Sequence, residues 1–172
     1  MSYSASEPFD SARRDASSFD CGKDPLNTWI RNLAGQSARR GLARTFVTCD
    51  EDGRVRGYYA LTATSISIET TTEAVRKRLP PHFPVPAILL ARLAVDDAEQ
   101  GRGLGRNLLA DALERIILAA EQVGLRAILM DAIDDEAAAF YRHYGFECAL
   151  DPRTLTITLA DLRASMERGP GD

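Results

Sequence analysis

The chain has 172 residues, of which 45% are hydrophobic and 27% are charged, a composition typical of a globular domain. Its formal net charge of −4 argues against general nucleic-acid binding. No apolar segment reaches membrane-spanning length, and the Ser-rich N-terminus lacks the apolar core of a signal peptide. The three widely spaced cysteines indicate neither a zinc site nor a disulfide framework. We therefore expect one cytoplasmic domain over residues 1–172, without a metal site.

The first third of the chain predicts a strand, a helix and a hairpin. A strand is expected within residues 7–14, and the Asp-Pro pair at 24–25 is a helix start with Asp as N-cap. Apolar residues at helical spacing continue this helix over 26–33. Residues 44–49 and 55–68 are rich in β-formers and flank an Asp-Glu-Asp-Gly turn, which predicts an antiparallel hairpin.

The rest of the chain predicts alternating strands and helices. Residues 70–73 resemble a capping box that opens a short helix to residue 79. The later elements are strands over 87–95, 126–133 and 155–159, helices over 104–123 and 134–144, and a frayed tail beyond residue 168. A hairpin followed by strand–helix–strand–helix–strand indicates an α/β fold, with a mixed, mostly antiparallel central sheet flanked by helices.

A glycine-rich loop at residues 100–105, Gln-Gly-Arg-Gly-Leu-Gly, joins a predicted strand to a predicted helix. The glycines leave backbone N–H groups uncovered, and the turn into the helix points these groups at one spot near the positive end of the helix dipole. Arg102 and Arg106 add positive charge, so the loop is expected to bind phosphate. The Lys-Ser/Thr pair of a P-loop is missing after Gly105, and the glycine spacing differs from the G-x-G-x-x-G of dinucleotide-binding sites.

Two segments resemble the GNAT N-acetyltransferase family. The glycine loop is similar to Q/R-x-x-G-x-G/A, which holds the pyrophosphate of acetyl-CoA in that family. Residues 134–146 are similar to the segment N-x-x-A-x-x-x-Y-x-x-x-G-F, with Asp134 in place of the usual Asn. The resemblance implies the GNAT acetyltransferase fold and acetyl-CoA as cosubstrate. The cofactor-binding residues that it implies are Leu93, Ala94, Val95, Gln100, Gly101, Arg102, Gly103, Leu104, Gly105, Arg106, Asp134, Ala137, Phe140 and Tyr144.

Tyr141 is the candidate general acid. When an amine attacks an acetyl thioester, the leaving thiolate needs a proton, and a phenol with a pKa of about 10 can supply it within hydrogen-bond reach. Tyr144 is the alternative donor. In the family, a backbone N–H from the strand before the glycine loop, here residues 93–95, binds the carbonyl oxygen, and the free edge of that strand pairs with pantetheine.

The sequence offers no obvious general base, since the two histidines and the acids are dispersed. A lysine side chain, with a pKa of about 10.4, needs a base at neutral pH, whereas an α-amine, at about 8, is partly unprotonated already. The missing base therefore favours an α-amine as acceptor, although a chain of waters could replace the base.

Two segments are basic within this acidic chain. Residues 25–48 contain four arginines and no acid, and residues 70–92 contain Arg76, Lys77, Arg78 and Arg92 against Glu73 alone. A polyanionic partner and an ordinary solvated helix face both remain open as explanations.

Several stretches within residues 19–159, the expected core of the domain, resemble the GNAT toxins of bacterial toxin–antitoxin pairs. These stretches are Phe19-Asp20-Cys21-Gly22, 43–47, 57–61, 90–96 and 139–141. The resemblance implies acetylation of the α-amine of aminoacyl-tRNA, which stops translation. It also implies a homodimer and a ribbon-helix-helix antitoxin, through which alone the protein would meet DNA. The tRNA phosphate contacts that we expect are Arg44, Arg76, Lys77, Arg78 and Arg92.

Two other functions remain open at this stage. The protein could acetylate a small-molecule amine or a protein N-terminus, with its basic segments as plain surface. It could also be a non-catalytic module that binds acetyl-CoA or an antitoxin, with Tyr141 only packed in the core. A dialysable acceptor would distinguish the first function, and binding without turnover the second.

Overall fold

A computed structural model describes residues 2–168 of the chain. Seven strands form one sheet in the order β1-β2-β3-β4-β5-β7-β6. The strands are β1 (Glu7–Pro8), β2 (Arg44–Cys49), β3 (Val55–Ile66), β4 (Val85–Val95), β5 (Ala127–Asp131), β6 (Glu147–Cys148) and β7 (Thr154–Thr158). The helices are α1 (Asp24–Thr28), α2 (Ala34–Arg39), α3 (Glu73–Arg76), α4 (Leu104–Ala120), α5 (Asp135–His143) and α6 (Leu159–Glu167).

The sheet is mixed, as predicted. The pairs β1–β2, β2–β3, β5–β7 and β6–β7 are antiparallel, and β4 runs parallel to β5. The chain divides into two compact units. The first unit comprises Met1–Thr62 and Ala91–Arg115, and the second comprises Ala63–Leu90 and Ile116–Asp172.

The first unit is built on the hairpin of β2 and β3. The Gly53 N–H donates to the Asp50 carbonyl at 3.0 Å and closes the turn. The core of this unit includes Phe19, Ile30, Val47, Val55 and Tyr58. Gly57 brings β3 close to α4, because a Cβ there would lie only 2.7 Å from Leu108 Cδ1. The start of α4, which follows the glycine loop, is thus packed directly on the hairpin.

The second unit packs α3 beside β4, β5 and β7. Residues 87–90 of β4 pair with residues 127–130 of β5. Its core includes Ile66, Val75, Val85, Ala87 and Ala127. Arg126 ties α3 to this core, since its Nε donates to the Val75 carbonyl at 3.1 Å and its guanidinium donates to the Lys77 carbonyl at 2.9 Å.

Several predicted boundaries were wrong. Lys23, not Asp24, is the N-cap of α1, and a π-helical segment at Trp29–Leu33 separates α1 from α2. The strand expected within 7–14 has only two residues, and α3 ends at Arg76. Thr72 caps α3 and Glu73 is its first residue, so the capping box predicted for residues 70–73 was wrong. The strand β6 and the helix α6 were not predicted. The predicted tail beyond residue 168 lies outside the described residues.

Candidate active site

The strand β4 ends beside the glycine loop, and it continues beyond its register with β5. Its register with β5 begins at Ala87 and ends at Leu90. The following residues, which include Leu93, Ala94 and Val95, belong to β4 but not to that register. Backbone groups on this edge are therefore placed to bind an extended ligand by strand addition.

Most of the glycine loop is exposed, and two of its glycines have a backbone conformation that favours glycine. Gly101 and Gly103 adopt left-handed conformations, with φ of 78° and 84°. A Cβ at either position would meet no atom within 4 Å, so conformation and not space requires glycine there. The loop leads directly into α4, whose first residue, Leu104, is buried. The loop thus lies at the start of a 17-residue helix, whose first N–H groups have no partner within the helix and favour phosphate.

The exposed side chain of Gln100 bonds the glycine loop to the end of β4. Its side-chain Nε2 lies 3.0 Å from the Val95 carbonyl, 3.0 Å from Asp97 Oδ1 and 3.3 Å from the Cys21 carbonyl. The amide nitrogen therefore joins the end of β4 to the loop. The cofactor contact predicted for Gln100 stays a prediction and falls to its amide oxygen or its backbone.

Two arginines bring positive charge to the loop. Arg106 is exposed on the first turn of α4, and the Arg102 side chain is 59% exposed. Arg102 is held by Glu99, whose carboxylate is buried and lies 3.5 Å from the guanidinium. The Tyr3 hydroxyl donates a hydrogen bond to the same carboxylate. Neither Tyr3 nor Glu99 was predicted, since a buried acid carries no distinct pattern in sequence.

Asp134 caps α5. Its carboxylate accepts a hydrogen bond from the Ala137 N–H at 2.8 Å. An aspartate in place of the usual asparagine therefore retains the capping role, because both side chains have an oxygen that accepts from the helix. The cofactor contacts expected of Asp134 and Ala137 remain predictions.

Tyr141 lies on the inner face of α5 and is 7% exposed. Its ring packs edge-on against Phe140 and Phe146, with centroid distances of 5.3 and 6.1 Å. From Ser2 to Arg168, no residue hydrogen-bonds to its hydroxyl, and burial raises the pKa of this phenol above its usual value. The phenol is thus held protonated and has its proton available for a ligand.

Phe140 and Tyr144 form a neighbouring aromatic pair on α5, with ring centroids 5.0 Å apart. Both rings are partly exposed, in contrast to Tyr141 and Phe146, which are buried. Tyr144 also contacts the ring of His143, at 5.1 Å between centroids. Tyr141 is therefore the more desolvated of the two candidate acids, and the cofactor contacts predicted for Phe140 and Tyr144 stay predictions.

The basic residues predicted to contact tRNA lie in both units. Arg44 and Arg92 belong to the first unit, and Arg76, Lys77 and Arg78 belong to the second. Four of the five are exposed, and Arg92 is partly buried, with its guanidinium over the Trp29 ring. Arg78 has a left-handed backbone, with φ of 64°, which places it in a sharp turn after α3.

Other kinds of site find little support in the described chain. No group of three or more His, Cys, Asp or Glu between residues 2 and 168 is arranged to hold a metal ion. Burial raises the pKa of the Cys21 and Cys49 thiols, which disfavours the reactive thiolate. Over the same residues, no helix is long and apolar enough to cross a bilayer.

Comparison with known proteins identifies the family. The model of the acetyltransferase (GNAT) domain matches residues 42–148. This chain is a member of the GNAT acetyltransferase family. It is 48% identical over 151 residues to a Mycobacterium tuberculosis protein named tRNA-acetylating toxin, a match that covers 87% of this chain and 89% of that protein.

Solved structures agree with the GNAT assignment. A tyrosine-to-phenylalanine mutant of KacT has a TM-score of 0.87 and 25% identity, covering 95% of this chain and 99% of that one. AtaTR bound with AcCoA has a TM-score of 0.81 and 25% identity, covering 94% and 97% of the two chains. The predicted family, fold and acetyltransferase class are therefore confirmed.

The fold accounts for the two signals that identified this GNAT enzyme from sequence. The glycine loop and the end of β4 belong to the first unit, and the segment of α5 with Asp134 and Tyr141 belongs to the second. Both are local motifs whose residues lie within one strand–loop–helix or one capped helix. The residues that support them from a distance, such as Tyr3 and Glu99, were missed.

Proposed function

We propose that this enzyme transfers the acetyl group of acetyl-CoA to the α-amine of aminoacyl-tRNA and thereby stops translation. The observation that carries the proposal is the 48% identity to a protein named tRNA-acetylating toxin, which extends over 87% of this chain. The phosphate cradle and the buried phenol supply the groups that this reaction needs.

The glycine loop is proposed to bind the pyrophosphate of acetyl-CoA. The uncovered N–H groups around Gly101 and Gly103 and the start of α4 provide donors and a positive dipole. Arg102 and Arg106 add charge. Backbone groups of residues 93–95 would pair with the pantetheine arm, and one N–H there would polarise the acetyl carbonyl.

Tyr141 is proposed to protonate the leaving group. The amine nitrogen attacks the acetyl carbon, the carbon–sulfur bond breaks, and the sulfur takes its electron pair and the proton of the Tyr141 hydroxyl. The amine gives its extra proton to water, and the phenolate regains a proton from solvent. The phenol is in the protonated form that a donor needs at neutral pH, since its ordinary pKa is about 10 and burial raises this pKa further.

The acceptor is proposed to be an α-amine next to an ester. Such an amine is partly unprotonated near neutral pH, so that the dispersed acids and histidines of this chain need not include a strong base. The exposed side chains of Arg44, Arg76, Lys77 and Arg78, together with Arg92, would bind phosphates of the tRNA.

We further propose a cytoplasmic homodimer that is neutralised by a ribbon-helix-helix antitoxin and meets DNA only through that antitoxin. These proposals rest on the resemblance to GNAT toxins. Light scattering after size-exclusion chromatography would measure the oligomeric state of the isolated protein. A monomer at micromolar concentration would contradict the dimer and leave the enzymatic proposal intact.

A translation extract with labelled acetyl-CoA tests the enzymatic proposal. The unsubstituted protein should label the aminoacyl group of charged tRNA and arrest translation. The Tyr141→Phe variant should bind CoA normally and lose most of both activities. Tyr144→Phe removes the hydroxyl of the alternative donor and should retain both activities. Label on a small amine without label on tRNA would overturn the proposed substrate and favour a small-molecule acetyltransferase.

A further inference from the structure

The segment Phe19-Asp20-Cys21-Gly22 takes no part in the reaction above, yet it is bonded to the turn 96–100, which ends at the first residue of the glycine loop. The Asp20 N–H donates to the Asp96 carboxylate at 3.2 Å, and the Asp97 N–H donates to the Asp20 carbonyl at 2.8 Å. The Cys21 carbonyl lies 3.3 Å from Gln100 Nε2. Main-chain atoms of two adjacent residues thus hold both ends of this turn.

The segment is itself rigid, because a side-chain pair fixes its shape. Asp20 Oδ1 accepts from the Gly22 N–H and from Asn27 Nδ2, both at 2.9 Å. The amide oxygen of the buried Asn27 accepts a hydrogen bond from the Cys21 N–H at 2.9 Å. Gly22 has a left-handed backbone, with φ of 81°. We call residues 20–22 and Asn27 the brace.

The turn passes this constraint to the glycine loop. The buried carboxylate of Asp96 accepts from the Ala98 N–H at 3.1 Å, and Gln100 Nε2 lies 3.0 Å from the Val95 carbonyl. Gly101 and Gly103 follow at once and are exposed. Glycines have much backbone freedom in an unrestrained loop. Ordering them costs binding free energy unless the fold has already restricted them.

We propose that the brace is a positioning device for the pyrophosphate loop, in which Asp20 and Asn27 act on acetyl-CoA affinity through the turn 96–100. This inference rests on the proposed binding of acetyl-CoA to the glycine loop. Asp20 and Asn27 are positioning residues, since each acts through the main chain of residues 20–22. Their loss should weaken the hold on the phosphate end of the cosubstrate and leave the reacting thioester unaffected.

Calorimetric titration with CoA tests the inference without any acceptor amine. Asp20→Ala and Asn27→Ala should each weaken CoA binding by about tenfold, and Asp20→Asn should restore most of the affinity. The matched control is Asp15→Ala, because the Asp15 carboxylate accepts from Ser17 in the same kind of turn but is not bonded to the turn 96–100.

A second measurement separates positioning from general damage. The comparison substrate is S-acetylpantetheine, which lacks the pyrophosphate. A thiol reagent measures the free thiol that the enzyme releases from this thioester and, in parallel, from acetyl-CoA. The brace variants should lose kcat/KM with acetyl-CoA, and with S-acetylpantetheine they should match the unsubstituted protein. An equal loss with both thioesters, or unchanged CoA affinity, would overturn the inference. Absence of CoA binding by the unsubstituted protein would overturn the proposed use of acetyl-CoA, and the inference with it, whereas a failure to label tRNA would leave the inference standing.

Discussion

The guanidinium carbon of Arg92 lies 3.8 Å from the centroid of the Trp29 ring. Trp29 is held in turn, since its Nε1 donates to Thr45 Oγ1 at 3.1 Å. The ring therefore fixes one face of the guanidinium. Because Arg92 is only partly buried, its charge and its remaining N–H groups stay available to a phosphate.

Arg92→Ala should weaken the binding of aminoacyl-tRNA and lower the slope of log affinity against log salt by about one. Arg92→Lys should keep the charge but lose the stacked, planar donor geometry. Its affinity for aminoacyl-tRNA should therefore lie between those of the unsubstituted protein and Arg92→Ala. The measurement is acetylation at varied tRNA concentration and at several salt concentrations. Arg163→Ala, on the exposed side of α6, is the control. An unchanged salt slope for Arg92→Ala would exclude a phosphate contact.

The two later glycines of the loop should respond differently to alanine. Gly103 has a φ of 84°, so an alanine there costs about 1–2 kcal/mol or moves the loop. Gly105 is helical, and its added Cβ would lie at an ordinary 3.6 Å from Val95 Cγ2. Gly105→Ala should therefore keep CoA affinity and stabilise the fold by up to about 1 kcal/mol.

Calorimetry with CoA and urea unfolding check this pair of variants. Gly103→Ala should weaken CoA binding by about tenfold, as the N–H groups of the loop lose their common aim. If Gly105→Ala proved the more harmful of the two, the cosubstrate would approach the backbone at residue 105, and the loop geometry described above would not explain binding.

Local chemistry explains which features the sequence could predict. The bounds of β2 were predicted correctly, because its β-formers end at a turn whose bonded residues, Asp50 and Gly53, are only three positions apart. The cap of α5 was predicted for the same reason: Asp134 and Ala137 are three residues apart. Glu99 was missed because the residue that helps to bury its charge, Tyr3, is 96 positions away.

The contact between Cys21 and Gln100 joins residues 79 positions apart, so the sequence pattern likewise did not predict it. Residues 19–22 resemble a segment of the GNAT toxins, but the positioning role proposed for them depends on the turn 96–100, which lies near them only in the folded chain. The π-helical segment at Trp29–Leu33 has the apolar spacing of an ordinary helix, so its extra residue per turn could not be foreseen.

The close approach of β3 to α4 gives a prediction about stability. In Gly57→Ala, the new Cβ would stand 2.7 Å from Leu108 Cδ1 and 3.4 Å from the Ala94 carbonyl oxygen. Because Leu108 is buried, it cannot turn away freely, and the variant should lose about 1–3 kcal/mol of unfolding free energy. Gly35→Ala is the control, since its Cβ would meet the end of the flexible Arg39 side chain at 3.5 Å and Ser11 Oγ at 4.0 Å, both ordinary contacts.

The double variant Gly57→Ala with Leu108→Ala should be less destabilised than the sum of the two single variants, as the shorter side chain removes the clash. Urea unfolding of the four proteins gives the coupling energy. Additive effects would show that the strand yields instead of Leu108 and that β3 and α4 are less tightly fitted than the distance indicates.

We expect ionisation of the Tyr59 phenol to lower the free energy of unfolding at alkaline pH. It is fully buried, and burial, followed by the hydrogen bond that it donates to Asp111, raises its pKa to about 12. Arg115 Nε donates to the same hydroxyl at 2.9 Å. In the unfolded chain the pKa is about 10, so the folded state holds this proton more tightly.

The stabilisation from Tyr59 is therefore complete below pH 10 and is lost as the pH rises toward 12. Between pH 9.5 and 11.5, the unsubstituted protein should lose about 1–2 kcal/mol more unfolding free energy than Tyr59→Phe, which has no proton to release. Urea unfolding at closely spaced pH values measures this difference. A gap between the two proteins that stayed constant over that range would mean that Tyr59 ionises as readily in the folded chain as in the unfolded one.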